Sequence, residues 1–396
     1  MSSAAALDHA LTRHFAPLVD PRNPTQRRHI LLEMIVIAIA GILGGAEGFA
    51  AIAQFGRSKE AWLRQFLDLP NGIPSHDTFG RVFSLIEPAA FQACFRSWAE
   101  SIRELIPAEV VAIDGKTLRH SFDRARGLGA LHMVSAWATA NRMVLGQVAT
   151  EAKSNEITAI PKLLELLCLR GCIVTIDAMG CQKAIAAQII DQGGDYLLAL
   201  KGNQGHLVEE VNEAFIEADA RGYAGLVSEG VETRDSGHGR VETRRYRTLE
   251  DLSAVPHSEG WKGMNMIGMV QSERTCNGKS TQETRYYIGS CGINADTFAA
   301  AARGHWGIEN AVHWCLDIGF REDESRLRES VARENFAVLR HLALTRLKKD
   351  STHKLGIHNK RLTAAWNEKY LEKLLFEPPD PPRRKTISGG SNISGP

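Results

Sequence analysis

The chain has no Cys-x-x-Cys pair, no secretory signal pattern and no surplus of either charge sign. Its seven cysteines, at 94, 168, 172, 181, 276, 291 and 315, are odd in number and scattered. That distribution speaks against a disulfide framework and reads as mostly buried thiols in a reducing compartment. The start, "MSSAAALDHALTRHFAPL", lacks the basic-then-apolar order of a signal peptide. The most apolar run, "ILLEMIVIAIAGILGGAEGFAAIA", carries Glu33 and Glu47 with thirteen residues between them. That is too short to span a bilayer, so the run reads as a buried helix ended by Gly44 and Gly45. A cytoplasmic location without a membrane partner is the expectation. The 47 basic and 46 acidic residues nearly cancel, so whole-chain charge argues neither for nor against nucleic acid, and any electrostatic argument must be local.

At 396 residues the chain exceeds what one compact core usually holds, and its patterning changes along its length. Residues 1–106 read as a helical N-terminal domain, with apolar spacing in "EAWLRQFLDL", "DTFGRVFSLI" and "AFQACFRSWAESI". Phe79, Val82, Phe83 and Ile86 form one apolar helix face and leave His76, Asp77, Thr78 and Arg81 at the helix start. A DNA-recognition helix would present its polar side chains there, and a plain amphipathic helix would look the same. Residues 107–204 turn to strands: "EVVAIDGKTL", then two apolar runs around a hairpin turn at Ala140, Asn141 and Arg142. A helix follows, N-capped by Ser154 or Asn155 and closed by Gly171. After it come the strand "CIVTIDAMG", another helix and the strand "YLLALKGN". This order predicts an α/β fold, a mixed sheet covered by helices. Residues 205–297 read as a β-rich insertion in which "CNGKS" signals a hairpin. Residues 298–345 return to helical spacing. The segment 346–396 reads as a basic C-terminal stretch ending in a disordered tail, and residues 340–373 carry nine basic against three acidic residues.

Three acids stand out. Period-two alternation puts Val110, Ala112 and Asp114 on one strand face and Ile173, Thr175 and Asp177 on another, so each aspartate closes a buried strand. Two such carboxylates in one sheet could converge on a hard cation such as Mg²⁺, while either alone reads equally well as a turn cap. Glu309 lies in "ARGHWGIENAVHW" among Trp306, Ile308, Val312 and Trp314, with His305 and His313 four residues to either side. A buried acid there would need a partner.

The ordered set "HFAPLVDPR", "AIDGKTLR", "HMVSAWA", "GHGRVETRR", "HWGIENAVHWCLDIGFREDESR" and "NKRLTAAWNEKYL" resembles the DDE transposases of bacterial insertion sequences, in the branch of the H-repeat-associated proteins. The likeness runs over roughly residues 14–375. It implies a ribonuclease-H-like catalytic core with a β-strand insertion and a DDE triad of Asp114, Asp177 and Glu309. It also implies divalent cations (Mg²⁺, with Mn²⁺ as substitute), double-stranded DNA as partner (element ends and target), a homodimer in the DNA complex and a nucleoid-associated bacterial protein. Around that triad Gly115 would leave room for DNA and Lys116 would touch a phosphate. Lys201 and Asn203, at the end of the third parallel strand, would do likewise.

Arg240 and Arg244 would lie on one face of a basic ribbon, with Arg245 and Arg247 on the other. In the basic tail, Lys348, Lys349, Lys354, Lys360 and Arg361 with Trp366 and Tyr370 suit DNA or a partner subunit. Many relatives with such an insertion place a tyrosine, an arginine and a lysine around the glutamate; here those positions hold Ala302, His305 and Leu316, so His305, beside Trp306, would stand in for the arginine. Three other readings stay open: a nuclease of the same fold without strand transfer, an inactive domesticated DNA-binding protein, and a zinc site at His305, Glu309 and His313.

Overall fold

A computed structural model of the chain describes residues 11–122, 129–150, 156–237, 239–276 and 278–381. The apolar run forms helix α1 (Leu31–Leu43), almost wholly buried. Its one acid, Glu33, accepts from the backbone N–H groups of Asp68 at 2.7 Å and Leu69 at 3.3 Å, which satisfies a carboxylate that burial would otherwise penalise. No helix is long and apolar enough to cross a membrane among the described residues. Helices α2 (Phe49–Ser58), α3 (Glu60–Leu63), α4 (His76–Leu85) and α5 (Pro88–Ser101) follow. Ser75 caps α4 by accepting from the Thr78 N–H at 3.2 Å, and Phe79, Val82 and Phe83 form its buried face, as the spacing requires.

Nine strands form one sheet. They are β1 (Glu109–Thr117), β2 (His132–Ala138), β3 (Met143–Thr150), β4 (Cys172–Ile176), β5 (Asp195–Leu200), β6 (Ser228–Gly237), β7 (Arg240–Leu249), β8 (Met266–Cys276) and β9 (Lys279–Gly289), in the order β3-β2-β1-β4-β5-β9-β8-β7-β6. β1 pairs antiparallel with β2 and parallel with β4, and β4 pairs parallel with β5. This is the mixed sheet that the order of elements predicted. The hairpins fall at 139–142 and at "CNGKS", where Cys276 pairs with Lys279 and Gly278 has φ +75°. The proposed Ser154 or Asn155 cap lies outside the described residues; its helix is α6 (Glu156–Glu165).

The remaining helices are α7 (Lys183–Asp191), α8 (Gly205–Ala220), α9 (Ala295–Ile308), α10 (Trp314–Phe320), α11 (Ser330–Lys349), α12 (Ile357–Trp366) and α13 (Glu368–Phe376). Three expectations change. The β-rich stretch opens with helix α8, whose buried Leu207, Val211, Ala214, Phe215 and Ala218 follow a helical period. Its strands are no separate module either, because β9 pairs antiparallel with β5 and continues the sheet begun by β1–β5. Nor does the N-terminal helical segment keep a core of its own. Phe49 of α2 packs edge-on against Phe336 of α11, and Phe66 against Phe376 of α13, in one hydrophobic cluster that runs from Leu11 to Phe376.

The basic C-terminal segment is mostly internal. Arg361 donates to the carbonyls of Ile42 (2.9 Å), Ala46 (3.0 Å) and Gly319, and Lys360 to those of Leu347 (2.9 Å) and Asp350 (2.5 Å). Lys349 reaches the Asn141 carbonyl at 3.2 Å. Lys360 and Arg361 satisfy carbonyls at or just past helix C-termini and Lys349 one in the β2–β3 turn, so Lys349, Lys360 and Arg361 do not present a DNA surface. The start of the supposed tail is tied down, with the Ser351 N–H donating to Asp380 at 2.6 Å; residues 382–396 lie outside the described residues.

Candidate active site

The register of the parallel pair β1–β4 sets Ile113 beside Ile176. The next residues, Asp114 within β1 and Asp177 just past the end of β4, therefore emerge side by side where the pairing of the two strands ends. Helix α9 lies across the strand face of Val110, Ile173 and Leu197, packing Phe298, Ala301 and Ala302 against it. Gly304 permits the close crossing: a Cβ there would stand 3.0 Å from Val110 Cγ1. Asn294 caps α9 by accepting from the Thr297 N–H at 2.8 Å. The helix then passes into one π turn, Glu309–His313, in which the Trp314 N–H bonds back to the Glu309 carbonyl. Such widened turns are rare within helices and gather at functional sites.

Three side chains meet at this turn. Nδ1 of His313 lies 3.1 Å from Glu309 Oε2 and 3.5 Å from Asp114 Oδ2. One possible ligand atom from each of Asp114, Glu309 and His313 falls within 4.8 Å of the other two. The His313 side chain is 5% exposed and that of Glu309 60%, so the glutamate is not the buried acid its aromatic neighbours suggested; its ring partner is buried instead. Asp114 accepts from the Gly115 N–H at 2.8 Å, and Asp177 Oδ1 from the N–H groups of Met179 at 3.0 Å and Gly180 at 3.4 Å. Asp177 is thus both a turn cap and a wall of the cleft. That cleft, about 660 Å³, is lined by Asp114, Asp177, Lys201, Tyr286, His305 and Glu309 among others. Burial pushes the Asp114 carboxyl above its ordinary range, against the pull of His313 and His305 and with help from Asp177. Burial lowers His305, whose Nδ1 lies 3.3 Å from the Thr175 hydroxyl.

Several residues expected at DNA are engaged elsewhere. Lys116 sits in an ion cluster, 3.0 Å from Glu322, 3.8 Å from Asp323 and paired with Asp317. It braces the end of β1 to the chain that follows Glu309, and its 11% exposed side chain is not free for phosphate. Burial would push the Glu322 carboxyl up, but Lys116 and Arg340 outweigh it and hold it at about 2. Gly115 makes room for protein rather than DNA: a Cβ there would stand 2.4 Å from His132 Nε2 and 2.5 Å from Glu156 Oε1, which form a buried pair at 2.7 Å. Asn203 donates to the Ala178 carbonyl at 2.6 Å and so stiffens the turn after Asp177. His76 and Arg81 line a separate surface depression with Leu85.

The basic ribbon divides as the alternation predicts. Arg240 and Arg244 join Arg274, Arg285, Arg303 and Trp306 around a groove of about 440 Å³ that meets the cleft at Arg285 and Trp306. The Arg285 guanidinium lies 4.3 Å from the centre of the half-exposed Trp306 ring. Arg245 is paired with Glu232 at 2.8 Å and is not part of that groove. The bracing acids Asp317 and Glu322 went unread in the sequence, where nothing local ties "AIDGKTLR" to "CLDIGFREDE".

The Transposase DDE domain family matches residues 106–346 and the DDE_Tnp_1-associated family residues 12–99. The chain belongs to the DDE transposase family. The H repeat-associated protein YhhI of Escherichia coli (strain K12) is 39% identical over 370 residues, covering 92% of this chain and 97% of that one. A protein encoded in the dhlA 3′ region of Xanthobacter autotrophicus is 46% identical over 280 residues, 70% of this chain and 92% of that one. The shorter "Inactive transposase YbfQ" of Escherichia coli (strain K12) is 36% identical over 74 residues, 19% of this chain and 88% of that one. Among solved structures, a piggyBac transposase synaptic complex with hairpin DNA overlaps 95% of this chain and 79% of that one at 10% identity. Its TM-score is 0.40, too low to bear on this transposase-family chain.

Proposed function

We propose that the chain is an active transposase that binds the ends of its element, cuts them and joins them to target DNA with a divalent cation at Asp114, Asp177 and Glu309. The observation that carries this reading is that three acids from distant parts of the chain line one cleft: two where the parallel pair β1–β4 separates and the third on the π turn that continues α9. Their oxygen donors suit Mg²⁺, with Mn²⁺ as substitute. When bound, the cation supplies Lewis acidity to the attacking and leaving oxygens of a phosphodiester. The chain's own part is to bind and orient DNA. Arg240 and Arg244, paired with Glu242, Arg285, paired with Glu283, and exposed Lys201 line a path that ends at the acids, where a phosphate would compete with those carboxylates for the guanidinium groups. His305, held by Thr175, and Trp306 flank that end. Because two ends must be brought together, a homodimer forms on DNA, at the nucleoid.

The test uses the full chain, Mg²⁺ or Mn²⁺, and linear DNA carrying the segments that flank its own coding sequence, with nicked and joined products scored separately. Joined products in the native protein, reduced at least ~100-fold in Asp114→Asn, Asp177→Asn and Glu309→Gln, are expected. Undiminished products in those variants would sink the reading. Nicks without joining would favour the nuclease, and specific binding without any cleavage the inactive DNA-binding protein.

A further inference from the structure

The resemblance names three acids for the cation, yet the side chain most intimately placed between two of them is an imidazole. His313 Nδ1 faces Oε2 of Glu309 at 3.1 Å and Oδ2 of Asp114 at 3.5 Å. Among the described residues the one grouping with metal-ligand spacing is Asp114, Glu309 and His313. The zinc set suggested by sequence is not formed, because His305 turns its Nδ1 toward the Thr175 hydroxyl. His313 is fixed where it stands: it is buried, and it belongs to the π turn that also carries Glu309.

We propose that Nδ1 of His313 is a nitrogen ligand of the cation held by Asp114 and Glu309, so that the site mixes oxygen and nitrogen donors and favours Mn²⁺ over Mg²⁺. The chemistry of the ring agrees with this assignment. A metal-bound imidazole gives the lone pair of one nitrogen to the metal and keeps its proton on the other. The remote nitrogen, Nε2, is buried and has no hydrogen-bond partner. Mg²⁺ prefers an all-oxygen shell, whereas imidazole suits transition metals, so one nitrogen donor shifts selectivity.

Because the assignment depends on the divalent-cation site of the proposed function, the experiment must separate the two. Mn²⁺ alone is added to the full chain, its binding is titrated, and the bound ion is observed by pulsed electron paramagnetic resonance. The expected spectrum contains modulation from a directly bound ¹⁴N, which changes to the ¹⁵N pattern when the protein is labelled with [¹⁵N]histidine; this needs no variant. In His313→Asn, which offers an amide oxygen instead, the modulation disappears, Mn²⁺ binds at least ~10-fold more weakly, and Mg²⁺, measured by competition, loses less. In His305→Asn the modulation persists. Mn²⁺ that binds and is lost in Asp114→Asn, but shows no nitrogen coupling, overturns the His313 assignment and leaves the acidic site standing. Coupling that vanishes in His305→Asn instead also overturns it. Absence of any saturable Mn²⁺ binding overturns both.

Discussion

Glu322→Gln removes the acid at the centre of the brace behind the candidate site. The Glu322 carboxylate, 2% exposed, is shared by Lys116 at 3.0 Å and Arg340 at 3.5 Å. Lys116 keeps Asp317 and Asp323, but Arg340, itself 2% exposed, loses its carboxylate. Breaking a buried pair from one side costs ~3–5 kcal/mol, because the abandoned charge stays buried. The titration of the acid leads to a similar figure: a carboxyl lowered from 4.5 to about 2 favours its ionised, folded form by about 3 kcal/mol at pH 7. The sign follows from the lowered value. The unfolded chain holds the proton more tightly, so the contribution is full above pH 4.5 and fades as pH falls toward 2. Urea denaturation of both proteins at pH 7 and pH 3 reads this directly, with a gap of about 3 kcal/mol narrowing to roughly half that in acid. A gap under ~1 kcal/mol at pH 7, the size of a surface ion pair, or one that does not shrink with acid, would refute the reasoning.

Gly115→Ala should destabilise the fold by ~1–3 kcal/mol, since its Cβ would collide with the His132–Glu156 pair; an unchanged melting temperature would show that the pair can give way freely. Arg361→Met leaves the buried carbonyls of Ile42, Ala46 and Gly319 without their donor and should cost ~3 kcal/mol or more, with DNA affinity unaffected once the variant is folded; a loss of affinity without loss of stability would restore the nucleic-acid role first read for this segment. Arg240→Ala combined with Arg244→Ala should flatten the dependence of log affinity on log salt by ~1–2 for duplex DNA. The same loss of slope on Arg245→Ala, whose side chain pairs with Glu232 outside the groove, would contradict the division of the ribbon into two faces.

Strand periodicity alone put Asp177 at the end of a buried strand and Asp114 on the face of another, which runs three residues further than expected, because alternation is a property of a few consecutive residues. The amphipathic face of α4, the two hairpin turns and the burial of α1 were legible for the same local reason. The order of motifs along the chain carried the family, and with it the expectation that Glu309 would join the aspartates. What no local pattern holds is the choice of partner between segments far apart in the chain. Lys116 read as a phosphate contact and Arg361 as a contact for DNA or a partner subunit until the fold brought Glu322 to the one and the carbonyls of Ile42, Ala46 and Gly319 to the other. Gly115 read as space for a ligand until Glu156 and His132 filled it. Whether β6–β9 stood apart or continued the core sheet depended on one strand pairing, β5 with β9, which a one-dimensional pattern cannot specify. His313 was visible as a polar residue beside Glu309, but only the crossing of α9 over β1 brought its ring to Asp114. A side chain's chemistry is written in its identity, while its partner is set by packing that minimises unpaired buried charge across the whole molecule.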